Sequence, residues 1–544
     1  TAGRPEGDRV RGPAERPDRP RRLRRVAARD VVVVGSGHHA LVAACYLARA
    51  GLDVEVVERD TVLGGAVSTV QRWPGYAVDR GSSAHIMVRH TGIVEDLRLA
   101  ECGLTYLDMD PWGFAPFGDA EAGEQQALTF HVSLDATCDS IAALCGDRDA
   151  EAYRAFVTDW AGRNEAVFAA FQDVPTAGRL GRHLWGAGKA SSVGGLEMSR
   201  QFLQPADQLL DEHFIDERLK TALAWLGAQS GPPTHEVATA DLVGWSALLH
   251  SRPPGRAVGG SGALTVALAE RLRRLGGTVR LADGAAAITR SGDRVTGVTT
   301  DSGEHLAARA VVAGCHVLTT LELLGDEALL ARATTAVRVG NGIGMVVRLG
   351  TTALPAYPAM AGAPAYGAMQ LLAPSRTHLR AAYGEFSAGR TPTEPAVLVM
   401  SFSALDPSIA PRGRHNVSVW AQWHPYELST GEQWDDIAER EADKIVAQVE
   451  RAAPGFTSTI EHRHVQTPLD LERELGLRRG NVMHVEMGLD SMFSYRPLPE
   501  LAGYRTPVRG LFLTGASTHP GGGVFGASGR TAARVVLANR RRWR

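Results

Sequence analysis

Residues 30–59 read DVVVVGSGHHALVAACYLARAGLDVEVVER. The valine run Val31–Val34 ends at Gly35, a helix-like segment continues to Ala50, and a second β-rich run ends at Glu58. This order describes a strand, helix, strand unit. Its turn, Gly35-Ser36-Gly37-His38-His39-Ala40, has the form G-x-G-x-x-A. Gly35 permits a tight turn, Gly37 lets the backbone approach a pyrophosphate, and Ala40 allows the helix to pack closely. The helix start offers free N–H groups and a positive dipole end to the phosphates, and Gly51 stops the helix as a C-terminal glycine. Glu58 stands 23 residues after Gly35, where a carboxylate accepts hydrogen bonds from ribose hydroxyls and repels a 2'-phosphate. The fold class that follows is α/β, with a Rossmann-type dinucleotide-binding domain.

Working outward, the next residues are Arg59-Asp60-Thr61-Val62-Leu63-Gly64-Gly65-Ala66. An "ER" pair, a short gap and a glycine pair after the second strand resemble flavoproteins of the phytoene-desaturase and amine-oxidase superfamily. In that superfamily the glycine pair bends over the FAD pyrophosphate. Two later segments resemble the same family in the same order. Val258-Gly259-Gly260-Ser261-Gly262 opens a helix with a stripe of Leu264, Leu268, Leu272 and Leu275, followed by short β-like runs at Thr278–Leu281, around Ile288, at Val295–Thr300 and at Arg309–Ala313. Near the end, GLFLTGASTHPGGGVFGASGRTAARVVL spans residues 510–537. Its Gly515-Ala516, two residues, His519-Pro520-Gly521 is similar to the signature of bacterial phytoene desaturases.

The resemblance implies FAD, held non-covalently, in a glutathione-reductase-like domain made of discontinuous segments, 29–130, 255–325 and 500–540. Residues 131–254 and 326–499 would then form an α+β substrate domain, with a helical cap marked by Leu210, Phe214, Leu219, Leu223 and Leu226. Strands are expected at 341–350, 396–404 and 415–423, and an amphipathic helix at Ile437–Val449. It also implies that Gly35, Ser36, Gly37, Ala40, Glu58, Arg59, Gly64, Gly65, Ala66, Gly515, Ala516, Gly522, Gly523 and Val524 contact the cofactor.

Composition sets the outer bounds. The 544 residues are 44% hydrophobic and 22% charged, with a formal net charge of −2, which describes a large globular protein with more than one substructure. Residues 1–29 hold ten arginines against four acids, a charge of +6, so the remainder carries −8. Residues 1–28, rich in Arg, Pro and Gly, read as a disordered tail; a peripheral membrane contact through it stays open, whereas nucleic-acid binding is not expected. The five cysteines are scattered without a CxxC pair, which points to a reducing cytoplasm and to no thiolate metal site.

Few side chains announce chemistry, because a flavin accepts the hydride itself and the protein mainly positions the substrate. His519 is the candidate catalytic residue, placed by the resemblance beside the flavin ring. Loop bracing is its competing role. His85 could line the pocket or be structural, and His316, Glu486 and Arg496 carry weaker signals. His484 and Glu486, two apart, would share one face of a strand, yet no third ligand is in sight and no metal is expected. Amine oxidases of the superfamily keep a lysine on a substrate-domain strand. The three lysines, Lys189, Lys220 and Lys444, fall in loop or helix-like segments instead. The expected activity is dehydrogenation or desaturation of a hydrophobic small molecule of isoprenoid or secondary-metabolite type, with oxygen or a quinone as acceptor. A redox-neutral flavin isomerase, an amine oxidase and a prenyl-binding protein on the same fold are the alternatives.

Overall fold

The computed structural model describes residues 28–190, 194–360 and 365–543, so almost the whole arginine-rich tail lies outside the described residues. Fourteen strands make two large sheets. In chain order they are β1 (Arg29–Val34), β2 (Val54–Val57), β3 (Gly113–Phe117), β4 (Gln126–Phe130), β5 (Thr278–Arg280), β6 (Ala285–Ser291) and β7 (Arg294–Thr300). Then follow β8 (His305–Ala313), β9 (Gly342–Thr351), β10 (Met369–Leu372), β11 (Val397–Met400), β12 (His415–Pro425), β13 (Ile460–Gln466) and β14 (Leu511–Leu513). The helices that matter here are α1 (His38–Arg49), α2 (Asp147–Phe171), α3 (Ala206–His213), α4 (Glu217–Ala228), α5 (Ala263–Arg274), α6 (Trp434–Ala452) and α7 (Ala527–Ala538).

The first sheet runs β6-β7-β8-β1-β2-β5, with β14 also on β8. Strands β14, β8, β1, β2 and β5 are parallel, so helices must cover both faces. The valine run shows the result. Val31 and Val33 enter one core with Val54, Val56 and the helices α1, α5 and α7, while Val32 and Val34 enter another with Val57, Val311, Leu511 and Leu513. A continuous apolar strand is what two buried faces require. Strand β8 is long because its first half pairs with β7 and its last three residues pair with β14.

The second sheet runs β13-β9-β12-β11-β10-β3-β4. One face, with Val347, Val417, Val419, Val397 and Val399, buries the stripe Ile437, Ile445, Val446 and Val449 of α6. The opposite face meets the helical cap. There Tyr153, Phe156 and Trp160 of α2, Leu209 and Leu210 of α3, and Leu219, Leu223 and Trp225 of α4 share a core with Met369, Leu398 and Met400 of the sheet.

Three sequence expectations are corrected here. Residues 113–130, assigned to the dinucleotide domain, form β3 and β4 of the second sheet, because β3 pairs with β10 at Gly113↔Met369. The cap pattern from Leu210 to Leu226 is two helices, since Phe214 is extended and Asp216 caps the next helix by accepting from the Arg218 N–H. The strand expected at 396–404 stops at Met400, where a 3-10 turn over Phe402–Ala404 begins.

Candidate active site

A cavity of about 740 Å³ lies between the two sheets and under the cap. Its polar end is built by the strand–helix–strand unit. Gly35 has φ +91° and Gly37 is the N-cap of α1, with no side chain capping the helix. The free N–H groups of the first turn therefore remain for a ligand. The glycine pair folds onto this turn. Gly64 and Gly65 have φ of +105° and +57°, and a Cβ on Gly65 would sit 3.8 Å from the Gly37 Cα. Ser36 fixes the contact: its Oγ accepts from the Gly64 N–H at 3.0 Å and donates to Glu58 Oε2 at 2.8 Å. Ser36 is fully buried and does not line the cavity, so its role is to brace rather than to touch a ligand.

Glu58 lines the cavity. Its Oε2 also accepts from the Ser36 N–H at 2.7 Å and its Oε1 from the Asp60 N–H at 2.9 Å. A carboxylate offers about four acceptor sites, so three bonds leave capacity for a hydroxyl. Arg59 and Ala66 line the same end, and Ala40 packs beneath the turn.

The C-terminal loop closes the far side. Gly515 (φ +100°) donates its N–H to Ser528 Oγ at 3.0 Å, and Thr514 and Thr518 bond the same hydroxyl. Ala516, Gly523 and Val524 line the cavity, and a Cβ on Gly523 would meet no protein atom within 4 Å. Gly522 does not line it; the residue packs against Met483, which a Cβ would overlap. The Ala516 carbonyl accepts from Nε and Nη2 of Arg496 at 3.0 and 2.7 Å. Arg496 is fully buried, and desolvation lowers its guanidinium to about 9. Carbonyls of Met483, Val485, Glu486 and Ser491 take its other donors, so it clamps the 483–491 loop to the cavity wall.

The histidines differ from expectation. His519 is fully buried and does not line the cavity. Its Nε2 bonds the Ala170 carbonyl at 3.0 Å, and its ring sits between Phe171 and Phe493. An aromatic cluster at the end of α2 has taken the ring, and desolvation lowers it to about 4. Its position is structural. His85 is also buried away from the cavity, held by Tyr106 Oη at 2.7 Å and Ser261 Oγ at 2.8 Å, and burial lowers it to about 3. His316 and His484 do line the cavity, with ring centroids 5.2 Å apart; burial lowers His316 to about 4 and His484 well below the usual range. His484 lies in a turn with φ +64°, not on a strand, and Glu486 turns away to pair with Arg338 at 3.0 Å.

Several cavity residues gave no motif signal. His38 and His39 fill the variable places of the glycine turn, and both ring nitrogens of buried His39 lack a hydrogen-bond partner among the described residues. On the second sheet, Val346, Arg348, Met369, Leu398, Met400 and Trp420 form the wall facing the turn. A lone charge in GIGMVVRLGT, residues 342–351, was the available hint for Arg348. Lys220 pairs with Asp211 and Glu217, and Lys444 with Glu441, so neither reaches the cavity. The Lys189 side chain lies outside the described residues.

Residues 33–97 match a profile described as an NAD(P)-binding Rossmann-like domain, and residues 191–537 match that of the flavin containing amine oxidoreductases. The chain belongs to the flavin-containing amine oxidoreductase family. Pyridine nucleotide-disulfide oxidoreductase domain-containing protein 2 of Mus musculus is 31% identical, with 93% of each chain covered. Phytoene dehydrogenase of Streptomyces griseus is 27% identical over 94% of this chain and 95% of its own. An oxidoreductase from Methanosarcina mazei has a similar fold, with a TM-score of 0.62 at 14% identity, covering 94% of this chain and all of that one. This member of the family is an FAD-dependent oxidoreductase. Its site fits the cofactor, because Gly37 and Gly523 leave space that no protein atom fills and the α1 start faces that space uncapped.

Proposed function

We propose that the protein dehydrogenates or desaturates a hydrophobic small molecule, of isoprenoid or secondary-metabolite type. The observation that carries this reading is the wall opposite the nucleotide turn. Val346, Met369, Leu398, Met400 and Trp420 present it from the sheet, and Leu226, Leu242, Trp245 and Leu249 complete it from the cap. Such a wall binds by excluding water from apolar surface, at roughly 25 cal/mol per Å² buried.

Bound FAD supplies the hydride acceptor. The chain's own part is to bind and to orient. The Gly35–Ala40 turn and the Gly64–Ala66 turn, locked together through Ser36, would hold the pyrophosphate, and Glu58 the adenosine ribose. Arg496 keeps the Ala516 carbonyl and the Met483 loop fixed at the cavity wall that would face the flavin. The sheet and cap would hold the substrate against the ring and exclude water. Oxygen or a quinone would then reoxidise the cofactor, which no cavity residue need bind covalently. Against the amine-oxidase alternative stands that, of the lysines whose side chains are described, neither Lys220 nor Lys444 reaches the cavity.

Among the described residues no helix is long and apolar enough to cross a membrane. The test is an anaerobic screen that follows loss of flavin absorbance with lipophilic isoprenoids on one side and simple amines and polar amino acids on the other. Bleaching by the lipophilic set supports the proposal; bleaching by the polar set alone refutes it.

A further inference from the structure

The apolar wall contains one cation. Arg348 lies on β9 on the same face as Val346, opposite Ser418 of β12, and lines the cavity while being only 1% exposed. Among the described residues no carboxylate forms a salt bridge with it. Its Nη1 donates to Ser418 Oγ at 2.9 Å and to Ser83 Oγ at 3.3 Å, and its Nε to Gln466 Oε1 at 3.4 Å. A guanidinium has five N–H donors. The two on Nη2 have no partner among the described residues.

The acids nearby are committed elsewhere. Asp79 is ion-paired to buried Arg256 and also accepts from the Ser261 N–H at 2.9 Å and Thr69 Oγ1 at 2.7 Å. Glu474 faces Arg72 at 3.7 Å and accepts from Gln466 Nε2 at 3.1 Å. These pairs cancel, and Arg348 is left as the net charge of the wall. His464, its neighbour on β13, is lowered to about 4 by burial and by Arg72 and Arg348, so it adds none at neutral pH. Arg496 provides the contrast. It is equally buried, yet all three of its nitrogens find backbone carbonyls, as a purely structural arginine should. An ionised group left buried without a counter-charge costs several kcal/mol. Among the described residues Asp79 and Glu474 attract it through space, but no carboxylate bonds it.

We propose that Arg348 receives the carboxylate of the substrate, which makes the substrate class a lipophilic monocarboxylic acid. This rests on the hydrophobic-substrate reading and narrows it. A single positive charge flanked by two hydroxyls matches a monoanion, and the free edge of a guanidinium fits a carboxylate. The apolar body of the acid would lie along Val346, Leu398, Met400 and Trp420, towards the flavin. The phosphate-binding turns belong to the first sheet and Arg348 to the second, but its Ser83 partner lies beside the Gly64–Ala66 turn, so FAD affinity is read separately in the test.

The test uses the FAD-loaded protein and three probes, dodecanoate, methyl dodecanoate and dodecylamine, each kept below its micellar concentration. Binding is read from perturbation of the flavin spectrum. Dodecanoate should bind roughly 10- to 100-fold tighter than its ester, the range for a hydrogen bond to a charged group, and the amine should bind weakest. Arg348→Met should erase the preference and Arg348→Lys keep part of it, with FAD affinity, measured by fluorescence titration, unchanged in both. Equal binding of acid and ester to the wild type overturns the assignment while leaving the apolar cavity standing. Survival of the preference in Arg348→Met, or weakened FAD binding in both variants, also overturns it. If no probe perturbs the flavin, the hydrophobic-substrate reading falls, and this assignment falls with it. Should Arg348→Met fail to fold, the wild-type comparison and Arg348→Lys still decide.

Discussion

Replacing Gly37 by alanine should separate cofactor binding from folding. Gly37 has φ −57° and ψ 154°, a conformation open to any L-residue, and an added Cβ meets no protein atom within 4 Å. The apoprotein should therefore gain about 0.4–1 kcal/mol, because the unfolded chain loses backbone freedom. The same methyl group would stand where a pyrophosphate held by the α1 start would lie. Overfilling a close-packed contact by one carbon costs about 1–3 kcal/mol, which raises the FAD Kd roughly 5- to 150-fold. Two measurements on deflavinated protein suffice, a fluorescence titration with FAD and a urea unfolding curve. Gly64→Ala is the companion. With φ +105° and a Cβ that would strike the Thr265 side chain and the Val67 carbonyl, it should destabilise the apoprotein itself. A Gly37→Ala protein that is less stable but binds FAD normally would refute the reasoning, since the space beside Gly37 would then serve the fold and not the cofactor.

Glu58→Ala removes the acceptor of three hydrogen bonds, two from Ser36, whose hydroxyl holds the Gly64 turn, and one from the Asp60 N–H; FAD retention in equilibrium dialysis should fall by at least about tenfold, given 1.5–3 kcal/mol for each bond to a charged group. His519→Ala should lower stability by about 1–3 kcal/mol, by unpairing the Ala170 carbonyl and opening the aromatic cluster, yet leave the rate of flavin reduction by a screened substrate unchanged in stopped flow. A large loss of rate without loss of stability would return His519 to the chemistry. The fold should also be acid-labile. Burial lowers His316, His424 and His519 to about 4, whereas an unfolded histidine titrates near 6.5, so below that pH the unfolded chain binds more protons. Stability is then full above about pH 6.5 and declines as pH falls towards 4, by up to roughly 3 kcal/mol per histidine. Urea midpoints that do not move between pH 7.5 and 5 would count against this.

The nucleotide half was legible because its signals are local. Val31–Val34, the turn to Ala40, Gly51 and Glu58 lie within thirty residues, and the structure folds them as strand, glycine turn, helix stop and a cavity-lining carboxylate. The substrate half depends on partners far apart in the chain. Nothing around Gly113 announces that it will pair with Met369, and only that pairing moves β3 and β4 into the second sheet. Arg348 becomes meaningful once the register sets it opposite Ser418 and beside Ser83. The C-terminal signature located the loop correctly against the cavity, but not the orientation of His519, because that is decided by Phe171 and Phe493, which lie in other segments.

The crossing of α7 over α1 has a consequence for synthesis. Gly529 lies so close to α1 that a Cβ would strike the His39 carbonyl, and β14 completes the parallel sheet beside β8. The glycine turn and α1 thus wait for a helix several hundred residues later in the chain. At about 5–20 residues per second, α1 would spend on the order of half a minute or more without the helix that covers it. Nascent chains should need shielding of that apolar face until α7 has emerged, and FAD should be captured only after that.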